Sequence, residues 1–183
     1  SHVEDIAFYM EDAKVHNLKL HLPDVNRASP KFIVDKEGII FSLAAIKNVG
    51  EGVSGKILEE CNENGKYKNF EDFVVRTRKH GLNKKALESL ILAGALDGLP
   101  GNRRQKFESV DKILDYATRK IKEDEIQQMN LFGEAKSSLG VFTLPQIPEY
   151  SLEELLAREK EYLGFYFSAH PLDNYRRLIE VYR

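Results

Sequence analysis

The sequence predicts a mainly α-helical chain: two helix pairs in tandem, each bent through a glycine corner, with a small N-terminal β-hairpin and a C-terminal capped helix. Three patterns carry this expectation. Apolar residues recur at helical spacing along most of the chain after Ser42. Glycines punctuate the helix pairs at Gly50-Glu51-Gly52 and at Gly98-Leu99-Pro100-Gly101. Ser151 stands three residues before Glu154, the spacing of a capping box. A chain of 183 residues with 42% hydrophobic content builds one medium or two small cores. Charged residues make up 31% and the formal net charge is -2, which argues neither for nucleic acid nor for a membrane, so local charge must decide. A single cysteine, Cys61, excludes an intramolecular disulfide framework. No long apolar run or signal-peptide pattern is present, so no membrane contact is expected and the expected compartment is the cytoplasm.

In chain order, residues 3–17 place Ile6, Phe8, Tyr9, Met10 and Ala13 on a short helix. Leu18, Leu20 and Leu22 then alternate, and apolar runs at 32–34 and 39–41 flank Asp35-Lys36-Glu37-Gly38 as a β-hairpin, closing a first unit over 1–41. The second unit, 42–126, opens with a short helix through Leu43, Ile46 and Val49, which stops at the first glycine corner; Val53, Ile57, Leu58 and Cys61 line the next helix. Asn69 caps a connector helix carrying Phe70, Phe73 and Val74, ended by Gly81. Asn83 caps a helix with the stripe Leu87, Leu90, Ile91 and Gly94, broken at the second corner. Asn102 caps a long helix carrying Phe107, Val110, Leu114, Ala117 and Ile121 down to an acidic cluster at 123–125. Residues 127–150 show no period and contain Gly133, Gly140, Pro145 and Pro148, which reads as a long exposed connection of the kind that carries function. Residues 151–183 form the capped helix through Leu155, Leu156 and Leu163, then an apolar tail that needs a surface, so the natural chain is expected to continue.

The glycine corners carry the chemistry. Without a Cβ, glycine takes positive φ and lets a phosphate approach the backbone, while the free N–H groups of the following helix point outward with the positive end of its dipole. Two such corners joined by a connector helix read as a tandem helix-hairpin-helix domain, a device that holds duplex DNA by its phosphates without reading sequence. The candidate DNA-binding residues are Gly50, Gly52, Ser54 and Lys56 in the first hairpin, and Gly98, Gly101, Asn102, Arg103, Arg104 and Lys106 in the second. From Arg76 to Lys106 there are eight basic residues against two acids, so the second copy is expected to be the more cationic. The first has only Lys47 and Lys56 beside Glu51, Glu59 and Glu60, and leans on backbone donors and Ser54. The plainer reading of either corner alone is a helix-to-helix turn in a bundle.

A second signal is Gln128-Met129-Asn130-Leu131-Phe132. Two apolar anchors and an amide in an exposed segment suit a peptide that docks in a partner's pocket. Equally, Leu131 and Phe132 suit a small cluster tucked under the connection.

At these residues the chain resembles the α-subunit family of bacterial DNA polymerase III, the replicative enzyme. The resemblance runs through Leu22-Pro23-Asp24-Val25-Asn26-Arg27, residues 43–52, Leu87 to Asp97, and Asn102-Arg103. It resumes at residues 159–166 and at Ser168-Ala169-His170-Pro171-Leu172, and so covers nearly the whole length. It implies a segment from the end of the fingers region, through the tandem helix-hairpin-helix domain, to the entry of an oligonucleotide-binding barrel. It implies that Gln128, Met129, Leu131 and Phe132 bind the β sliding clamp, with Asn130 and Met129 departing mildly from the family's preference. Asn48 stands where the family often has glycine. The remaining partners it implies are double-stranded DNA and the rest of the polymerase holoenzyme.

No catalytic or metal-ligating residue is expected in this chain. The family's nucleotidyltransferase chemistry uses clustered palm aspartates and magnesium, which the resemblance places upstream. Asp24, Asp72, Asp97 and Asp111 fall on different elements, the five histidines never reach ligand spacing, and Cys61 reads as a helix-face residue. The alternative to DNA binding is a helical protein-interaction module; a repair glycosylase or ligase would also need a reactive Asp or Lys beside a hairpin.

Overall fold

The computed structural model describes residues 20–27, 33–35, 38–129 and 139–164. Strands β2 (Ile33–Asp35) and β3 (Gly38–Ile40) pair antiparallel, with Val34 opposite Ile39, as the hairpin pattern predicts. β1 (Leu20–His21) joins the other side of β3 in parallel, giving the order β1-β3-β2. The helix expected over 3–17 and the tail beyond Gly164 lie outside the described residues.

The rest is helical. After Ser42, which caps a single 3-10 turn at Leu43–Ala45, come α1 (Glu51–Asn64), α2 (Phe70–Arg78), α3 (Lys84–Leu92), α4 (Arg103–Glu108), α5 (Val110–Met129) and α6 (Leu152–Leu163). Asn69, Asn83 and Asn102 each accept the third amide of their helix, and Asn102–Gln105 and Ser151–Glu154 form reciprocal capping boxes. α3 is the central element: Ala86, Leu87, Leu90 and Ile91 are fully buried, and it packs against α4, α5 and α6. Truncating such a core leucine to alanine costs about 2–5 kcal/mol, because both transfer energy and a cavity are involved. α2 lies along α5, where the Tyr116 hydroxyl donates to Glu71 at 2.8 Å.

The short helix expected through Leu43, Ile46 and Val49 is only that 3-10 turn, because Ile46 is already extended at φ −71°, ψ 133°. Three helix boundaries also differ from the sequence pattern. α3 ends at Leu92, five residues before the expected break, because Gly94 takes φ +83° and the Arg103 guanidinium packs against it where a Cβ would stand. Gly94 is therefore a turn residue, not part of the helical stripe. The long helix after Asn102 is two helices, α4 and α5, separated at Ser109. α5 also runs past the acidic cluster to Met129, so Gln128 and Met129 sit in its last turn and not in the connection.

The connection itself is not free of the fold. Its described part, residues 139–150, lies as an irregular strap against the helices, with the Phe142 ring 6.4 Å from Phe70 and 5.8 Å from Tyr116.

Candidate nucleic-acid interface

The second hairpin, between α3 and α4, is closed by its own side chains. Lys106 is fully buried and its ammonium donates to three carbonyls of the corner: Leu96 at 2.8 Å, Leu99 at 2.9 Å and Gly101 at 2.6 Å. Burial pushes its pKa down to about 8, opposed by Asp97 and Glu149, so at neutral pH it remains a cation tying the turn together. Arg103, 5% exposed, forks onto Asp97 at 2.7–3.1 Å and reaches Glu159 of α6 at 3.2 Å. Burial opposes its charge, but the two carboxylates outweigh that and raise its pKa.

The start of α4 is also occupied. Glu149 of the strap accepts from the Arg103 amide at 2.8 Å and the Arg104 amide at 3.1 Å. Asn102 donates its side-chain amide to the Ile147 carbonyl, Gln105 donates to that of Pro145, and Leu144 covers Gly101. These helix-start donors are the ones the sequence assigned to phosphate, and the carboxylate of Glu149 satisfies them instead. The expectation for Arg103 and Lys106 is overturned, since both are interior residues. Arg104 is half-buried, its guanidinium 5.8 Å from the Tyr150 ring. Gly98 remains on the surface beside the Asp24 carboxylate.

The first hairpin is open. Gly50 and Gly52 are exposed, with no atom within 4 Å of where either Cβ would stand. Gly50 is the N-cap of α1 and has no side chain to cap with, and the only amide of the first turn that finds the backbone is Ser54, which donates to Gly50 O at 3.0 Å. Among the described residues, the Glu51, Gly52 and Val53 amides carry no hydrogen bond, the normal state of an uncapped helix start. Ser54 does not join them: it is buried and its hydroxyl donates to Glu51 O at 3.1 Å, which corrects its expected role. Lys56 is exposed and paired with Glu59 at 2.6 Å. Asn48 adopts φ +66°, a left-handed conformation that asparagine tolerates, and anchors its amide on Ser89 at 3.0 Å.

The cationic stripe read between residues 76 and 106 is not one face. Arg76 and Arg103 are bound by carboxylates, Lys106 by carbonyls, Arg78 donates to Leu82 O, and Lys84 pairs with Asp111. Only Lys79, Lys85 and in part Arg104 stay open to solvent without such a partner among the described residues. Of the peptide at 128–132, Gln128 is exposed on α5, while Leu131 and Phe132 lie outside the described residues.

A family model described as a helix-hairpin-helix motif matches residues 17–106. Over 182 residues the chain is 38% identical to DNA polymerase III subunit alpha of Borreliella burgdorferi, covering 98% of this chain and 16% of that protein. It is 37% identical to the Thermus aquaticus subunit and 39% identical to the Deinococcus radiodurans subunit, each over 97% of this chain and 14% of the relative. Over nearly its whole length the chain matches one segment of DNA polymerase III subunit alpha. It spans about a sixth of the length of these relatives. Within this family segment, the described residues contain no group of three or more His, Cys, Asp or Glu able to hold a metal ion, and no helix long and apolar enough to cross a membrane.

Sequence reasoning missed Glu149. A lone acid in a proline-containing stretch carries no local signal, and its partners lie more than forty residues away.

Proposed function

We propose that this segment holds duplex DNA by its phosphates, without reading sequence, as part of a bacterial replicative polymerase, and that the first hairpin makes the contact. One observation carries the reading: three unengaged amides at the start of a fourteen-residue helix, behind two exposed glycines, within a matched helix-hairpin-helix motif. In the whole enzyme, magnesium-dependent nucleotidyl transfer would fall to residues outside this chain, in the cytoplasm, with the remaining holoenzyme subunits as partners. Fluorescence titration of the chain with unrelated duplexes at several salt concentrations tests it. Equal affinities that fall with a log-log slope of about 0.9 per phosphate contact are expected. A flat salt response would identify a protein-interaction module instead.

The same reading gives Gln128, Met129, Leu131 and Phe132 to the β sliding clamp. Its support is an exposed Gln128 at the end of a long helix, with the apolar anchors Leu131 and Phe132 following after Met129 and Asn130 in sequence. Leu131→Ala with Phe132→Ala should abolish capture by purified clamp without lowering the melting temperature. Retained capture would remove the peptide from the interface.

A further inference from the structure

Four lysines of the described surface pair with an acid. Lys47 meets Glu161, Lys56 meets Glu59, Lys84 meets Asp111, and Lys120 meets Asp124. Lys66, Lys68, Lys79, Lys85, Lys112 and Lys122 make no such pair among the described residues, and the first three stand together. All three are exposed, none makes an ion pair or side-chain hydrogen bond among the described residues, and all three line one groove of about 390 Å³ between the end of α1 and α2.

The acids in that groove are already engaged. Glu60 receives Arg76 Nε at 2.8 Å, Asn64 Nδ2 at 3.0 Å and His80 Nε2 at 3.0 Å; burial alone would raise its pKa, yet these partners hold it below the usual carboxylate range. Asp72 receives the Lys68 amide at 2.9 Å and Arg76 at 3.3 Å. Arg76 is fixed in turn by the carbonyls of Glu60 and Gly65, at 2.9 and 2.8 Å, and stands 4.4 Å from the Tyr67 ring. The wall sets two carboxylates against one guanidinium, so the three ammonium groups outweigh the remaining negative charge and make the groove net positive.

We infer that this groove is a second phosphodiester site, which gives the duplex proposed above a contact at the opposite end of α1 from the open glycine hairpin. The inference rests on that duplex-binding reading. Free ammonium groups act as point charges toward a repeating anion, without the planar fork that would select a particular carboxylate. The fourteen residues of α1 separate the two sites by about 21 Å at 1.5 Å per residue, so they engage different phosphates.

The test compares the 183-residue chain with Lys66→Glu/Lys68→Glu/Lys79→Glu and with Lys112→Glu/Arg119→Glu/Lys122→Glu, an equal charge reversal at exposed positions of α5. Duplex titrations over a salt series should show the groove variant losing at least about tenfold in affinity at moderate salt and up to about 2.7 in log-log slope, at about 0.9 per contact. The α5 variant should lose much less. Circular dichroism confirms folding, and the neutral Lys66→Gln/Lys68→Gln/Lys79→Gln variant should move in the same direction. An unchanged slope in the groove variant, or an equal loss in the α5 variant, overturns the groove site and leaves the hairpin reading standing. If the parent chain itself shows no salt-dependent duplex binding, both fall.

Discussion

The two hairpins use the same local device, a glycine corner feeding a capped or uncapped helix start, and arrive at opposite states. At the first, Gly50 and Gly52 leave three amides facing solvent. At the second, Lys106 fills the turn with a buried ammonium and Glu149 caps the helix that follows. Local sequence therefore sets the shape of the corner, while residues packed over it set its availability. The charge count would have ranked the second hairpin first. In the fold, most of that charge is spent on internal partners, which makes the second hairpin a joint between α3, α4 and the strap.

The largest expected effect breaks that joint. Lys106→Met removes the donor from three carbonyls of the corner, and at about 1–3 kcal/mol per unsatisfied group the loss should be at least about 3 kcal/mol, read as a lower urea midpoint at constant m-value. Duplex affinity per folded molecule should hold. A stable variant with lost DNA binding would mean that Lys106 faces phosphate after all. Glu149→Ala is the milder cut. Freeing the Arg103 and Arg104 amides should cost about 1–2 kcal/mol, comparable to losing a helix cap, and hydrogen exchange should speed up over residues 139–150. Exchange as slow as in the parent would show that Leu144 and Phe142, not the carboxylate, hold the strap.

These variants also mark where sequence reasoning stops. Caps at Asn69, Asn83, Asn102 and Ser151 were legible because each is a single residue acting on its own helix. So was the β2–β3 hairpin, which alternation and a short turn specify. The early end of α3 was not, since Gly94 at helical spacing looks like any small core residue; its φ of +83° is set in company with Arg103, nine positions on. Nor was the fate of the basic residues. Whether Arg103 meets a phosphate or Asp97 and Glu159 depends on α6 folding back across the hairpin, and Glu159 lies 56 residues away.

The smallest change in structure gives the cleanest contrast between the hairpins. Gly52 lies in the first turn of α1 with open space where a side chain would stand, so Gly52→Asp fits without displacing a neighbour. The new carboxylate would sit at the positive end of the helix dipole and replace a flexible glycine, stabilising the helix by about 0.5–1 kcal/mol. It would also occupy the amides intended for phosphate and add a negative charge, recreating at the first hairpin the arrangement Glu149 makes at the second. Thermal stability should therefore hold or rise while duplex affinity falls about tenfold at low salt. Stability and binding moving in opposite directions is an outcome that simple unfolding cannot produce. If affinity stays unchanged while the melting temperature rises, the open amides of the first hairpin are not where DNA rests.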